Sequence, residues 1–215
     1  MSLFLSQPIF LDSLINGKFL SSLATITITF ASIILIVFGL ELRLLGILPE
    51  GPELSRLAVF FVMSIIYTGF YLSLGILFSV LFRRTTTSAL TSMAVWFFFT
   101  FFLYMLANVI ADYTVPITQE VTQEVILKHT RVQAMIMRFS PMTLYGESVN
   151  VVLNPSVRTL GPIFSEASEE LIPAPLSLSQ SLLIVWPQFV SLIALMLICF
   201  SVSYIVFMKQ EIRSI

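Results

Sequence analysis

The sequence predicts an all-α membrane protein, with four transmembrane helices, an N-terminal interfacial helix and a partly helical outer loop. Of its 215 residues, 57% are hydrophobic and only 11% are charged, whereas an ordinary soluble domain has roughly 25% charged residues. The mean hydropathy is +0.98. With 11 Lys and Arg residues against 12 Asp and Glu residues, the chain lacks the basic excess of a nucleic-acid-binding protein, so no nucleic-acid partner is expected.

Four uncharged apolar runs are long enough to cross a bilayer, which takes about 20 residues in a helix. The last run, 171–208, is too long for one span, and Pro173, Pro175 and the polar stretch 177–180 interrupt its first third. The predicted spans are therefore about 19–40, 57–82, 87–111 and 181–208. The first three lie within 18–112, an extracytoplasmic region follows at 113–180, and residues 209–215 form a cytoplasmic tail.

Basic residues beside the spans predict the orientation, because short cytoplasmic loops carry an excess of Lys and Arg. If the N-terminus is cytoplasmic, five such residues lie on the inner side: Lys18, Arg83, Arg84, Lys209 and Arg213. Only Arg43 and Arg56 then lie in the short outer loop. The sequence thus predicts a multi-pass protein with both termini in the cytoplasm.

Residues 1–17 do not have the pattern of a secretory signal peptide, because no basic region precedes their apolar residues. The apolar positions in this segment are spaced to give a one-sided helix. We interpret it as an interfacial helix on the cytoplasmic face, with Lys18 at the start of the first span. The alternative is a frayed terminus.

The outer region is too long to be a structureless loop, and it contains two predicted helices. Apolar residues recur at helical spacing over 120–139, where Glu124 and Lys128 form a favourable i,i+4 pair. We expect this amphipathic helix to lie against the outer leaflet or the tops of the spans. A second helix is predicted over 141–153, with Ser140 as its N-cap and Asn154-Pro155 as its stop.

No catalytic or cofactor-binding pattern occurs in the sequence. Gly17-Lys18 is followed by phenylalanine and lacks the preceding glycine of a Walker A motif. The single histidine, His129, lacks the clustered partners of a metal site, so we interpret it as solvated or interfacial. No charged residue lies within a predicted span, and Asp112, at the edge of the third, has no predicted intramembrane partner. We expect no catalytic residue, metal or cofactor on this chain.

Small and hydroxyl-bearing residues are frequent in the second span, and their spacing favours close helix packing over substrate contact. They are Ser64, Thr68, Gly69, Ser73 and Gly75. The aromatic run 96–102 points in every direction around a helix and is interpreted as lipid-facing. Trp186 and Tyr204 fit interfacial positions near the two ends of the last span.

Four segments together resemble the membrane subunits of the type-two ATP-binding-cassette (ABC) transporters, the export-permease family of prokaryotes. In order, they are LSQPIFLDSLINGKFL at 5–20, FYLSLGILFSVLFRRTTTSAL at 70–90, SPMTLYGESVNVVLNPSVRTLG at 140–161 and WPQFVSLIALMLICFSVSYIVFMKQEIR at 186–213. Members usually have six spans, so the chain resembles the last four spans of the family, without the first two.

The resemblance implies a permease subunit in a prokaryotic cell membrane. A separate ATPase subunit would bind ATP and Mg, and a second permease subunit, identical or different, would complete the translocation path. The segment 5–18 resembles the stretch that docks on the ATPase. We take the coupling residues to be Gln7, Pro8, Ile9, Phe10, Asp12 and Lys18. The alternative function is a non-transporting membrane scaffold that binds a partner through its outer loop; a membrane-embedded enzyme is disfavoured.

Overall fold

The computed structural model describes residues 11–46, 51–82, 84–116, 123–156 and 176–212. Seven α-helices and one π-helical segment occur in these ranges, and no strand occurs in them. The elements are α1 (Leu11–Leu45), α2 (Gly51–Leu81), α3 (Thr85–Phe97), the π-helical segment (Phe98–Phe102), α4 (Leu103–Thr114), α5 (Gln123–Met137), α6 (Pro141–Leu153) and α7 (Leu178–Ile212).

Within the described ranges, four helical stretches are long and apolar enough to cross a membrane. They are Asp12–Leu44, Gly51–Leu81, Thr85–Thr114 and Leu178–Lys209. The third of these is continuous through α3, the π-helical segment and α4. The predicted all-α membrane fold is confirmed.

The helix termini follow local sequence signals. α1 ends before Gly46, which adopts a φ of 66° and donates its N–H to Leu42 O at 3.0 Å, as glycine does after many helices. α6 has the predicted bounds, with Pro141 at its first position. Ser140 is the N-cap residue, as predicted, but its hydroxyl makes no capping hydrogen bond and donates instead to a carbonyl of another helix.

The predicted ion pair on α5 is confirmed, since Lys128 Nζ lies 2.9 Å from Glu124 Oε1. The hydrogen bond and charge of Lys128 lower the pKa of Glu124. Both side chains are more than half exposed, so the pair adds little to the stability of α5.

The chain divides into two compact units. The first comprises Met1–Leu48, Thr68–Ser92 and Leu195–Ile215, and the second comprises Pro49–Tyr67 and Met93–Ala194.

In the first unit, α2 packs tightly where it carries a glycine. A Cβ atom at Gly69 would lie 2.8 Å from Met196 Sδ and 3.3 Å from Leu23 Cδ1, so no larger residue fits without a shift. Ser73 is fully buried one turn further on and donates to Gly69 O at 2.8 Å. The predicted close packing is confirmed at Gly69 and Ser73. It is wrong at Gly75, where a Cβ atom would meet nothing within 4 Å.

In the second unit, three helices share an apolar core. Met63 of α2, Val151 and Val152 of α6 and Val185 of α7 are each at most 1% exposed. The core therefore joins the Gly51 end of α2 to α6 and to the first turns of α7.

Candidate coupling end and helical hairpin

The first turns of α1 are attached to the last turns of α7 within the first unit. Tyr204 donates its hydroxyl hydrogen to Asp12 Oδ1 at 2.7 Å. Ile15, on the next turn, is only 3% exposed, and the rings of Phe19 and Phe200 lie 4.5 Å apart. A displacement of the first turns of α1 would therefore also displace the last turns of α7.

The predicted coupling and topology residues fall partly within this region. Asp12 and Lys18 are exposed on α1, and Arg84 and Lys209 are exposed at other helix ends. The remaining predicted residues, Gln7, Pro8, Ile9, Phe10, Arg83 and Arg213, lie outside the described residues. The described part of the predicted interfacial helix, residues 11–17, belongs to α1 and continues without a break into the first apolar span.

α5 lies antiparallel to α4 and is joined to it by two side-chain hydrogen bonds. His129 Nε2 lies 2.8 Å from Asp112 Oδ1, and one turn further along, Gln133 Nε2 donates to Asn108 Oδ1 at 2.7 Å. The His129 side chain is 12% exposed. The solvated environment, one of the two predicted for His129, is therefore wrong, whereas the interfacial one stays a prediction. Asp112, for which the sequence predicts no intramembrane partner, has His129 of α5 as its partner. Asn108 and Asp112 are four residues apart on α4, as His129 and Gln133 are on α5. The sequence did not show that these two helices lie side by side.

α5 and α6 form a helical hairpin whose tip lies level with the middle of two spans. At the tip, Ser140 donates its hydroxyl hydrogen to Phe99 O at 3.1 Å. Phe99 lies about 22 Å along the helix from Thr114, at about 1.5 Å per residue. The predicted position, on the leaflet surface or the tops of the spans, is wrong for this tip.

α6 returns along α2, and its contacts give a second measure of this depth. The hydroxyl groups of Tyr145 and Ser64 lie 2.8 Å apart, and the rings of Tyr145 and Tyr67 stack with their centroids 4.4 Å apart. Tyr67 lies about 24 Å along α2 from Gly51. Both neighbouring helices therefore place the hairpin tip near the midpoint of a span.

The π-helical segment lies at the same level as the hairpin tip. The Leu103 N–H donates to Phe98 O, five residues back, whereas in an α-helix it would donate to Phe99 O. The Ser140 hydroxyl, on a residue that is 1% exposed, donates to the Phe99 carbonyl instead. π-Helical turns are rare and are frequent at functional positions. The run of phenylalanines did not predict this segment.

The hairpin also carries an ion pair to this depth. Arg138 Nε lies 3.4 Å from Glu147 Oε2, with the two side chains 40% and 11% exposed. Charged groups at such depth are costly unless they are paired and are typical of functional positions in membrane proteins. The predicted spans contain no charged residue, so no pattern in the sequence indicated this pair.

The position of Arg56 also differs from the prediction. The sequence places it in the short outer loop, but it lies within α2 and is 9% exposed. Its Nη1 atom donates to Val152 O at 2.6 Å and to Ser181 Oγ at 3.3 Å, and its Nη2 atom donates to Leu176 O. One guanidinium group thus joins α2 to the end of α6 and the start of α7.

Among the described residues, four helices long and apolar enough to span a membrane and a helical hairpin that packs along two of them define a polytopic α-helical membrane protein. The chain matches the family model described as ABC-2 family transporter protein over residues 1–212, and it belongs to that family. It is therefore a membrane permease component of an ABC transporter, and the family implies association with an ABC ATPase. No curated protein and no solved structure shows a significant match to the chain.

Proposed function

We propose that this chain is the membrane-spanning subunit of an ATP-driven exporter in the cell membrane of a prokaryote. A second permease subunit, identical or different, would complete the translocation path. A separate ATPase subunit would bind ATP and Mg, and both termini of the permease would face it from the cytoplasm. Membership of the ABC-2 family supports the transporter component of this proposal.

The hydrogen bond between Asp12 and Tyr204 is the observation that carries the coupling mechanism. A helix is stiff along its axis because each turn is hydrogen-bonded to the next. Force applied to the residues that precede α1 would therefore shift α1 as a unit and, through Tyr204, displace the end of α7. ATP-driven closure of the ATPase subunits would in this way bias the permease between two arrangements.

In this mechanism, the N-terminal segment provides the docking contacts. Ile9 and Phe10 are the apolar residues that would enter a groove on the ATPase, and Gln7 would make a polar contact beside them. Asp12 and Lys18 are exposed on α1, so their charged groups are available to a partner at the adjoining helical turns.

Replacing Ile9 and Phe10 by alanine in the full chain tests the docking site. The tagged protein would be purified from detergent-solubilised native membranes, and co-purifying proteins would be identified and quantified by mass spectrometry. We expect the double variant to insert normally and to lose a stoichiometric ABC ATPase that the unaltered chain retains.

The matched control replaces Ile33 and Leu35 by alanine, since these side chains of α1 are 52% and 68% exposed in the apolar span. The control should retain the ATPase. Unchanged ATPase recovery with the docking variant would overturn the proposed site. Recovery of a different stoichiometric partner, with no ATPase in any sample, would favour the scaffold function.

A further inference from the structure

An apolar pocket of ≈ 320 Å³ lies between α2 and α7 in the second unit. Its walls include Ala58, Val62 and Met63 of α2 and Leu182, Trp186 and Phe189 of α7. All of these residues belong to stretches that are long and apolar enough to cross a membrane. The pocket therefore lies beside the hydrocarbon region of the bilayer, near the Gly51 end of α2.

The back of the pocket is part of the packed core. Met63 is 1% exposed and Val185 is fully buried, and both pack with Val151 and Val152 of α6. These contacts hold the two pocket-lining helices in place without a ligand, so the pocket is preformed. Because its walls are almost entirely apolar, it offers too few hydrogen-bond partners to retain water.

The mouth of the pocket opens away from the core. Ala58 is exposed, and Trp186 and Val62 are 62% and 46% exposed. The α7 wall extends about 10 Å along the helix from Leu182 to Phe189. It therefore has the direction and shape needed to accept a chain that lies along a transmembrane helix.

The polarity of the surroundings changes along the same direction. Ser181 immediately precedes Leu182 and accepts a hydrogen bond from Arg56, and Ser179 and Gln180 are exposed on the preceding residues. Polar groups thus lie at the end of α7 near the membrane surface, and hydrocarbon side chains follow below them. This order matches a membrane lipid, with a polar headgroup above an acyl chain.

We propose that this pocket is a specific binding site for one acyl chain of a membrane phospholipid. The chain enters from the leaflet beside the Gly51 end of α2 and packs between α2 and α7. Binding depends on the shape of the pocket and on van der Waals contact, because transfer from the bilayer exchanges one apolar surrounding for another. The site is independent of ATPase docking.

The chain contains two tryptophans, which gives a direct optical test. Replacing Trp96 by phenylalanine leaves Trp186 in the pocket wall as the single fluorophore. Replacing Trp186 by phenylalanine instead leaves Trp96, which is 39% exposed on α3 and reports on ordinary lipid contact. Each full-length variant would be reconstituted in phosphatidylcholine vesicles with increasing fractions of phosphatidylcholine brominated on its acyl chains, which quenches tryptophan on contact.

We expect Trp186 to be quenched at lower fractions of brominated lipid than Trp96, with an apparent preference about threefold higher, because a concave site holds the chain longer than an annular contact. Adding Ala58→Phe to the Trp186 reporter places a ring at the exposed mouth and should reduce the preference to that of Trp96. Equal quenching of the two tryptophans would overturn the proposal, as would an unchanged preference with Ala58→Phe. No quenching of Trp186 at any fraction would show that protein, such as a second copy of the chain, covers the mouth.

Discussion

Replacing Ser140 by alanine removes the hydroxyl group that joins the hairpin tip to the π-helical segment. The Leu103 N–H, the α-helical partner of the Phe99 carbonyl, donates to Phe98 O instead, and the Ser140 hydroxyl donates to the Phe99 carbonyl. Ser140 is 1% exposed, and water would not easily replace it. We expect the variant to leave the Phe99 carbonyl without this donor in an apolar environment.

The expected cost follows from the loss of a buried hydrogen-bond partner, which is about 1–3 kcal/mol. The matched control is Ser148→Ala. Ser148 is also fully buried, but its hydroxyl donates to Leu144 O on its own helix at 2.7 Å. Such bonds to the preceding turn of the same helix add little to helix stability. Ser148→Ala should therefore reduce the free energy of local unfolding of α5 and α6 by much less than Ser140→Ala does.

Hydrogen exchange of the full chain in detergent micelles, read by mass spectrometry, would measure the difference. Exchange through local opening of α5 and α6 should become roughly 5–150-fold faster in Ser140→Ala for a loss of about 1–3 kcal/mol, with α1 unaffected. Equal exchange in the two serine variants would refute the argument that Ser140 compensates for the π-helical turn.

Three further predictions concern the other polar contacts. Arg56→Gln removes donors to buried carbonyls, which costs about 1–3 kcal/mol, and should therefore lower the midpoint of thermal unfolding in detergent. An unchanged midpoint would show that the guanidinium is dispensable. Glu147→Gln should destabilise the chain by about 1–3 kcal/mol, because it removes the charge attraction between Arg138 and Glu147, which lie 3.4 Å apart. Adding Arg138→Gln to this variant should cost less than Arg138→Gln does in the unaltered chain, whereas equal costs would contradict the pairing. Asp12→Ala and Tyr204→Phe should each speed amide exchange in the first turns of α1. Exchange in the double variant should be no faster than in either single variant, and additive effects would show that the two side chains act separately.

The spans and several helix boundaries could be predicted because their signals are local. A run of about 20 apolar residues is sufficient to define a membrane-crossing helix, and the serine, proline and asparagine around α6 define its ends without reference to the rest of the chain. Gly69 and Ser73 were also identified correctly, since small residues allow close approach whichever helix is the neighbour.

Contacts between distant parts of the chain were missed for a common reason. Arg56 bonds to residues 96 and 125 positions away, and nothing around it in the sequence distinguishes a buried arginine from a loop arginine. The partners of Asp112 and Glu147 likewise depend on how α5 and α6 are aligned with their neighbours. The predicted coupling residues lie mainly before α1, and the docking experiment on Ile9 and Phe10 tests them.

The sequence by itself determined the all-α membrane class, the four apolar spans and the absence of charged side chains within the predicted spans, because hydropathy acts residue by residue along a helix. Only the tertiary structure decided that the α5–α6 hairpin reaches span midpoint, that the Arg138–Glu147 pair lies there, and that Arg56 is buried. These features depend on which polar groups find partners once the helices pack, since an apolar interior makes each unpaired group costly.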